Sequence, residues 1–171
     1  MKKLSRPARP SRRVALTVAA VAAVVFALVV VMVVRGEESS AVEQFDAQDA
    51  ATAAASDAIP RMLAYEHASI EDDLEDATEV MTKKFAKKYS ELTPQLTTTA
   101  QQRKIDVTAT VRTIAALECG QECSTTDVRL LAFVDQNRTI AGKAASPAAL
   151  SIVVRMKQVD GTWLVDDLSS S

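Results

Sequence analysis

The chain has 171 residues, 22 of them acidic and 20 basic, and 48% of it is apolar. That length allows one ordinary domain beside a short appendage. The near-balanced charge conceals a division, because every acidic residue lies after Gly36 with only 13 basic ones, leaving this part at about −9. A body of that sign is repelled by phosphate backbones, which argues against a nucleic-acid partner.

Residues 1–13 form a basic stub carrying Lys2, Lys3, Arg6, Arg9, Arg12 and Arg13 and no acid. It is too short and too rich in proline and arginine to bury anything, and it reads as a topology signal with weak contact to anionic lipid. Val14 to Val34 then gives twenty-one residues without charge, glycine or proline. As a helix at ~1.5 Å per residue this run reaches about 31 Å, the thickness of a bilayer's hydrocarbon. The positive-inside rule puts the stub in the cytoplasm and everything after Gly36 outside. A cleaved signal peptide is the rival, and Ser11-Arg12-Arg13 faintly resembles a twin-arginine signal. However, the run is too long and ends Val33-Val34-Arg35 with no small-x-small cleavage site. The expectation is an uncleaved single-pass anchor in the cell (inner) membrane, and residues 36–168 form one extracytoplasmic domain.

Within residues 36–92 two helical stretches are expected. Glu37 to Ala58 is alanine-rich and polar, and reads as a helix leading away from the membrane that Pro60 should kink or end. Ile59, Met62 and Leu63 supply a short apolar face. Ser69 with Asp72 has the form of a capping box. Ile70, Leu74, Ala77, Met81, Phe85 and Tyr89 then recur at helical spacing, predicting one long amphipathic helix that Thr93-Pro94 stops. Its acids (Glu71, Asp72, Asp73, Glu75, Asp76) precede its lysines (Lys83, Lys84, Lys87, Lys88), as the helix dipole favours. The acidic cluster lacks the spacing of a calcium loop. Residues 93–104 form a short helix and linker.

From Ile105 the period falls to two. Ile105, Val107, Ala109, Val111, Thr113, Ala115 and Leu117 predict the inner face of a strand. Cys119-Gly-Gln-Glu-Cys123 follows as a turn. With no second cysteine pair, and His67 distant, it suits a structural disulfide between Cys119 and Cys123 in an oxidising compartment better than metal or redox chemistry. Asp127 to Asp135 is the next strand, with Val128, Leu130, Ala132 and Val134 on one face. Gln136 to Ala149 reads as a loop, in which the sequon Asn137-Arg138-Thr139 is attributed to chance. Leu150 to Val159 leads into the hairpin signal Asp160-Gly161 and a last strand, Thr162 to Leu168. The fold class is thus α+β, with long helices on a curved four-stranded antiparallel sheet spanning residues 105–168.

Several of these motifs resemble a known family. They are Leu63-Ala64-Tyr65-Glu66-His67, the helix bearing Thr82, Phe85 and Tyr89, Leu131-Ala132-Phe133-Val134-Asp135-Gln136, and Val159 to Leu168. Together they look like the Mce-associated membrane proteins of actinobacteria, whose outer domain is similar to the cystatin-like roll of nuclear-transport-factor-2-like proteins. The resemblance implies an accessory subunit that supports assembly or stability of an Mce-type lipid-import complex. Its partners would be Mce and permease subunits and related Mce-associated proteins, with possible lipid contact and no cofactor. The cysteine hairpin lends no support to this match.

Three classes of function compete. A non-catalytic scaffold is expected first, with the scaffold subunit of a type IV secretion-like system as its alternative. An enzyme would need a base beside its nucleophile, and the chain offers one histidine, His67, which reads as a packing or surface residue. Arg129 and Asp135 are candidates to line a cavity. A small-molecule or lipid carrier requires a deep apolar cavity between helix and sheet. No catalytic, cofactor-binding or metal residue is therefore assigned. The topology is directly testable: an alkaline phosphatase fused to the C-terminus is expected to be active in cells. An inactive fusion, or a mature protein starting beyond Arg35, would overturn the anchor.

Overall fold

The computed structural model describes residues 41–118, 120, 123–145 and 147–170, together with Phe26 and Val30. The chain divides into two compact units, Met1–Val42 and Glu43–Ser171. In the first, Phe26, Val30, Ala41 and Val42 are helical and exposed. The rest of the expected anchor and the whole basic stub lie outside the described residues. Among the described residues no helix is long and apolar enough to cross a membrane.

The second unit begins with α1, helical over residues 43–63. Ala47, Ala51, Ala55, Ala58, Ile59 and Met62 recur every one to four positions along it and are all buried, giving a narrow apolar stripe. Pro60 does not end this helix. A proline removes the bond to the carbonyl four residues back and crowds that turn with its ring, and burial of Ile59 and Met62 on either side holds the last turn in place. The carbonyl of Pro60 still accepts the amide of Ala64 at 2.9 Å.

The expected long helix is two helices, α2 (Ile70–Thr78) and α3 (Lys83–Arg103). The apolar positions are those the periodicity indicates, since Ile70, Leu74, Ala77 and Met81 are buried. The break arises because the intervening backbone pairs with a strand instead: Thr82 N–H donates to the Val165 carbonyl at 2.8 Å, and Val165 N–H to that of Val80 at 2.9 Å. Thr82, extended at φ −64° and ψ 151°, then caps α3 by accepting the Phe85 amide. The Ser69 capping box does not form. Its hydroxyl donates instead to Asp73 Oδ2 at 3.2 Å, while that carboxylate also accepts the Glu66 amide at 2.8 Å. Nor does Thr93-Pro94 stop the helix, for Pro94 lies inside α3. The Ser90 carbonyl that Pro94 cannot serve accepts the Thr93 hydroxyl at 3.0 Å. The helix ends at Lys104, which adopts the left-handed conformation.

The strands are β1 (Ile105–Ala116), β2 (Asp127–Ile140), β3 (Lys143–Ala144), β4 (Ala148–Val159) and β5 (Thr162–Ser170). They form one antiparallel sheet in the order β1-β2-β4-β5, with the short β3 beside β2. The expected loop over Gln136 to Ala149 is therefore mostly strand. Ala141 and Gly142 turn the chain at positive φ (50° and 75°) and let β2 continue to Ile140. Asp160 and Gly161, at φ 50° and 83°, supply the two left-handed residues of a tight hairpin.

The chain reversal between β1 and β2 is set by Ser124 to Asp127, where Ser124 N–H donates to the Asp127 carbonyl at 2.9 Å. Cys119, Gln121 and Glu122 lie outside the described residues, and with them the expected Cys119–Cys123 disulfide.

One face of the sheet is the core. Val128, Leu130, Ala132 and Val134 of β2 gather with Ile152, Val154 and Met156 of β4, Val165 of β5 and the alanine stripe of α1 in one buried cluster. On β1 the predicted alternation holds only to Val111. A bulge at Arg112 shifts the register and reverses the faces beyond it, so that Ile114 and Ala116 pack on the core while Thr113 and Ala115 are exposed.

Tyr89 ties α3 to the end of α1 by donating its hydroxyl to the Met62 carbonyl at 3.0 Å. Burial, reinforced by the charge of Tyr65, pushes its phenol up to about 12. A raised pKa means stability that is complete below the phenol's ordinary value and lost as pH rises through the folded one. Tyr89→Phe is expected to cost roughly 1 kcal/mol in chemical denaturation at neutral pH. It should also remove the later of the two phenolate transitions in an ultraviolet titration. A variant as stable as the parent, or one that keeps that transition, would contradict this placement.

Candidate functional site

The connection between α1 and α2, residues 64–69, carries the only histidine and is fastened to the start of β1. Tyr65 and Val107 exchange backbone hydrogen bonds at 2.9 and 2.8 Å, an isolated bridge along the edge of the sheet. Beside it, Asp106 gathers three donors. Its Oδ1 accepts the His67 amide at 2.8 Å and lies 2.5 Å from His67 Nδ1, and its Oδ2 accepts the Thr139 hydroxyl at 3.2 Å. The His67 amide, followed by the His67 ring, holds the Asp106 carboxyl below its usual range. Gln136 closes the arrangement by donating Nε2 to the Leu63 carbonyl at 3.1 Å.

An open cleft of about 320 Å³ lies next to this clamp, lined by Arg61, Ala64, Tyr65, Glu66, Asp73, Asp76, Val107 and Thr108. Several of these groups are already engaged. Arg61 donates to the Asp76 carbonyl and to Glu79 Oε2 at 2.9 and 3.0 Å, and Asp73 is held by the Glu66 amide and the Ser69 hydroxyl. His67 therefore does not stand free: its Nδ1 faces a carboxylate that also holds the loop through the His67 amide. Among the described residues no group of three or more His, Cys, Asp or Glu side chains could hold a metal ion.

A second clamp joins the other edge of the sheet to α3, where Thr82 Oγ1 donates to Asp166 Oδ1 at 2.9 Å. Asp166 is the residue left over where the β4–β5 register shifts, and the bulge aims its carboxylate at the helix cap. Neither Asp106 nor Asp166 was singled out by the sequence. Each lies far along the chain from its partner, and no local pattern announces the pairing.

Arg129 and Asp135 stand on the sheet face turned away from the helices, and of the two only Arg129 lines the groove described below. Asp135 pairs with Arg112 across β1. Arg129 lines a shallow groove of about 170 Å³ with Val153, Arg155, Asp167 and Ser169. There Arg155 is held by both carboxylate oxygens of Asp127, with its Nη2 at 2.7 Å.

No family model matches the chain. It is similar to the outer membrane protein Rv1973 of Mycobacterium tuberculosis, with 31% identity over 113 residues covering 66% of this chain and 68% of that protein. It is also similar to the uncharacterized protein Rv1362c of the same organism, 30% identical over 118 residues, or 68% of this chain and 52% of that protein. Among solved structures the periplasmic domain of DotI matches with a TM-score of 0.60 at 12% identity, covering 70% of this chain and 91% of that one. An IcmL-like type IV secretion system protein of Legionella pneumophila gives 0.58 at 12% identity, covering 70% and 88%. CagV of Helicobacter pylori, a VirB8 homolog, gives 0.54 at 12% identity, covering 71% and 96%. At that identity the likeness concerns the fold, which is α+β and VirB8-like.

The clamp makes a pH-dependent prediction. A depressed carboxylate contributes stability above its ordinary pKa and loses that contribution as pH falls through the lowered folded value. Asp106→Asn is therefore expected to melt at a lower temperature than the parent at neutral pH. The two melting curves should converge as the solution is acidified below the carboxylate range. A gap that stays constant with pH would show that the charge of Asp106 is not what holds the loop.

Proposed function

The chain belongs to the family of the mycobacterial outer membrane protein Rv1973, and from that membership and the VirB8-like fold we propose that it is a non-catalytic scaffold of the cell envelope. In this reading residues 14–34 hold it at a membrane by a single pass, and the domain from Glu43 onward works by contact with protein partners. The observation that carries the proposal is the use of Asp106, which accepts the His67 amide and the Thr139 hydroxyl as well as facing the ring's Nδ1, so that the pair fastens the 64–69 connection to β1. A carrier is disfavoured because the α1 stripe and the sheet face that would enclose a lipid tail are buried in one cluster.

The assembly itself has two readings. The fold of the IcmL-like secretion protein and of CagV supports a secretion-type scaffold, which we place first. The motifs from Leu63 to His67 and from Val159 to Leu168, resembling Mce-associated proteins, support a second reading in which the partners are Mce and permease subunits of a lipid importer.

The test is a deletion strain analysed by quantitative membrane proteomics beside a lipid-uptake assay. Loss of the scaffold should deplete its partner subunits, because unassembled subunits expose apolar interface and are degraded. Depletion of secretion-type subunits supports the first reading, and depletion of Mce and permease subunits with reduced uptake supports the second. His67→Ala should leave the function intact wherever the protein accumulates. Unchanged levels of every membrane complex in the deletion strain, or loss of function in a well-accumulated His67→Ala protein, would defeat the scaffold proposal.

A further inference from the structure

At one edge of the sheet two features meet that neither the core nor the clamps use. The first is a block of lysines. After Gly36 there are 13 basic residues against 22 acidic ones, and Lys83, Lys84, Lys87 and Lys88 crowd together at the start of α3, all exposed. Lys83 and Lys84 stand in the first turn, which holds no acid, and there the helix dipole disfavours positive charge. Lys88 Nζ lies 4.0 Å from Asp167 Oδ1 of β5. Among the described residues Lys83, Lys84 and Lys87 form no ion pair, and Glu91 on the next turn pairs with none of them.

The second feature is the open edge of β5. This strand is the last in the sheet order and pairs with β4 along one side. On its other side Val165 is paired with the Val80 to Thr82 link, which then turns away into α3. Among the described residues no strand covers the outer edge of Asp167, Leu168, Ser169 and Ser170. Main-chain donors and acceptors left open in this way are a template for another strand. Lys88 reaches β5 at Asp167, so the lysines stand beside the start of that open stretch.

We propose that the β5 edge accepts an extended acidic segment of a partner protein as an additional strand. Main-chain hydrogen bonds to residues 167–170 supply affinity, and the side chains of the added strand supply selectivity. Successive side chains of a strand point to opposite faces. Those turned to the helix side meet Lys84, Lys87 and Lys88 and are acidic. Those turned the other way lie beside Asp167 and Ser169, which line the outer groove, and are uncharged. Charge also excludes other occupants. A second copy offering the same edge sets lysine against lysine, and like charges across a strand pair repel. A flat anionic membrane surface matches the lysines but leaves the main-chain edge unpaired.

A partner strand presupposes that the domain works by protein contact, as proposed above. The readout is peptide affinity rather than subunit levels in cells, so failure here leaves the scaffold reading standing. The probe is a fluorescent peptide of about eight residues, an ordinary strand length, that alternates glutamate with threonine and valine. It should bind full-length protein in neutral detergent micelles, more weakly as salt is raised, and slow hydrogen exchange at residues 167–170. A peptide of the same composition with its glutamates run together should bind at least about tenfold more weakly, because it cannot turn every acid to one face. The triple variant Lys84→Glu, Lys87→Glu and Lys88→Glu should weaken the acidic peptide at least about tenfold. It should also gain affinity for a peptide with lysine in place of glutamate, an exchange that misfolding cannot imitate. Absence of binding overturns the proposal, as does binding that ignores the triple variant or leaves exchange at residues 167–170 unchanged. Slowing of that exchange by short-chain phosphatidylglycerol and not by the peptide assigns the patch to lipid and equally overturns it.

Discussion

The domain rests on the close approach of an alanine-faced helix to a sheet. On α1, Ala51, Ala55 and Ala58 leave almost no side chain between the helix backbone and the strands, so the large residues of the contact must come from the sheet. Leu130, Met156, Val128, Val134, Val154 and Val165 supply them and are fully buried. Each contributes about 1.5–3 kcal/mol through removal from water, set against the chain entropy of ordering it.

From that contact the two edges of the sheet follow. Unpaired strand edges invite uncontrolled association, and here each is partly covered by a segment that the packed helices deliver. The end of α1 brings residues 64–69 to β1, where Tyr65 pairs with Val107 and His67 with Asp106. The link between α2 and α3 brings Val80 to Thr82 against Val165 of β5. Beyond Val107 the β1 edge is protected differently, by the bulge at Arg112 and the charge placed there. At both edges a carboxylate on the strand fastens the incoming segment, Asp106 with His67 and Asp166 with Thr82.

Electrostatics divides the surface. The acids of α2 stand in its first turn, as the helix dipole favours, whereas the break at Val80 to Thr82 leaves Lys83 and Lys84 in the first turn of α3, against it; exposed charges of this kind add little to stability. The outer face of the sheet is different, because its charges lie in opposed sets at the two ends of an apolar centre.

Much of this was legible in the sequence, because helix and strand periods are local properties. The alternation in Val128 to Val134 and the spacing of Ile70, Leu74, Ala77 and Met81 identified buried faces directly, and Asp160-Gly161 identified a hairpin. The errors share a cause. Thr93-Pro94 and Pro60 read as stops because proline lacks a donor, yet one lost hydrogen bond is outweighed when packing holds the turn or a neighbouring hydroxyl serves the carbonyl. The break at Val80 to Thr82 and the bulge at Arg112 are decided by strands distant in sequence, and each shifts the chain between structures that local pattern cannot separate. The same is true of the clamps, for His67 meets Asp106 across 39 residues and Thr82 meets Asp166 across 84. The sequence by itself determined the buried faces of α2 and β2 and the hairpin at Asp160-Gly161. Only the tertiary structure decided which polar groups meet and which sheet face stays open, because those depend on where distant segments are brought together in space.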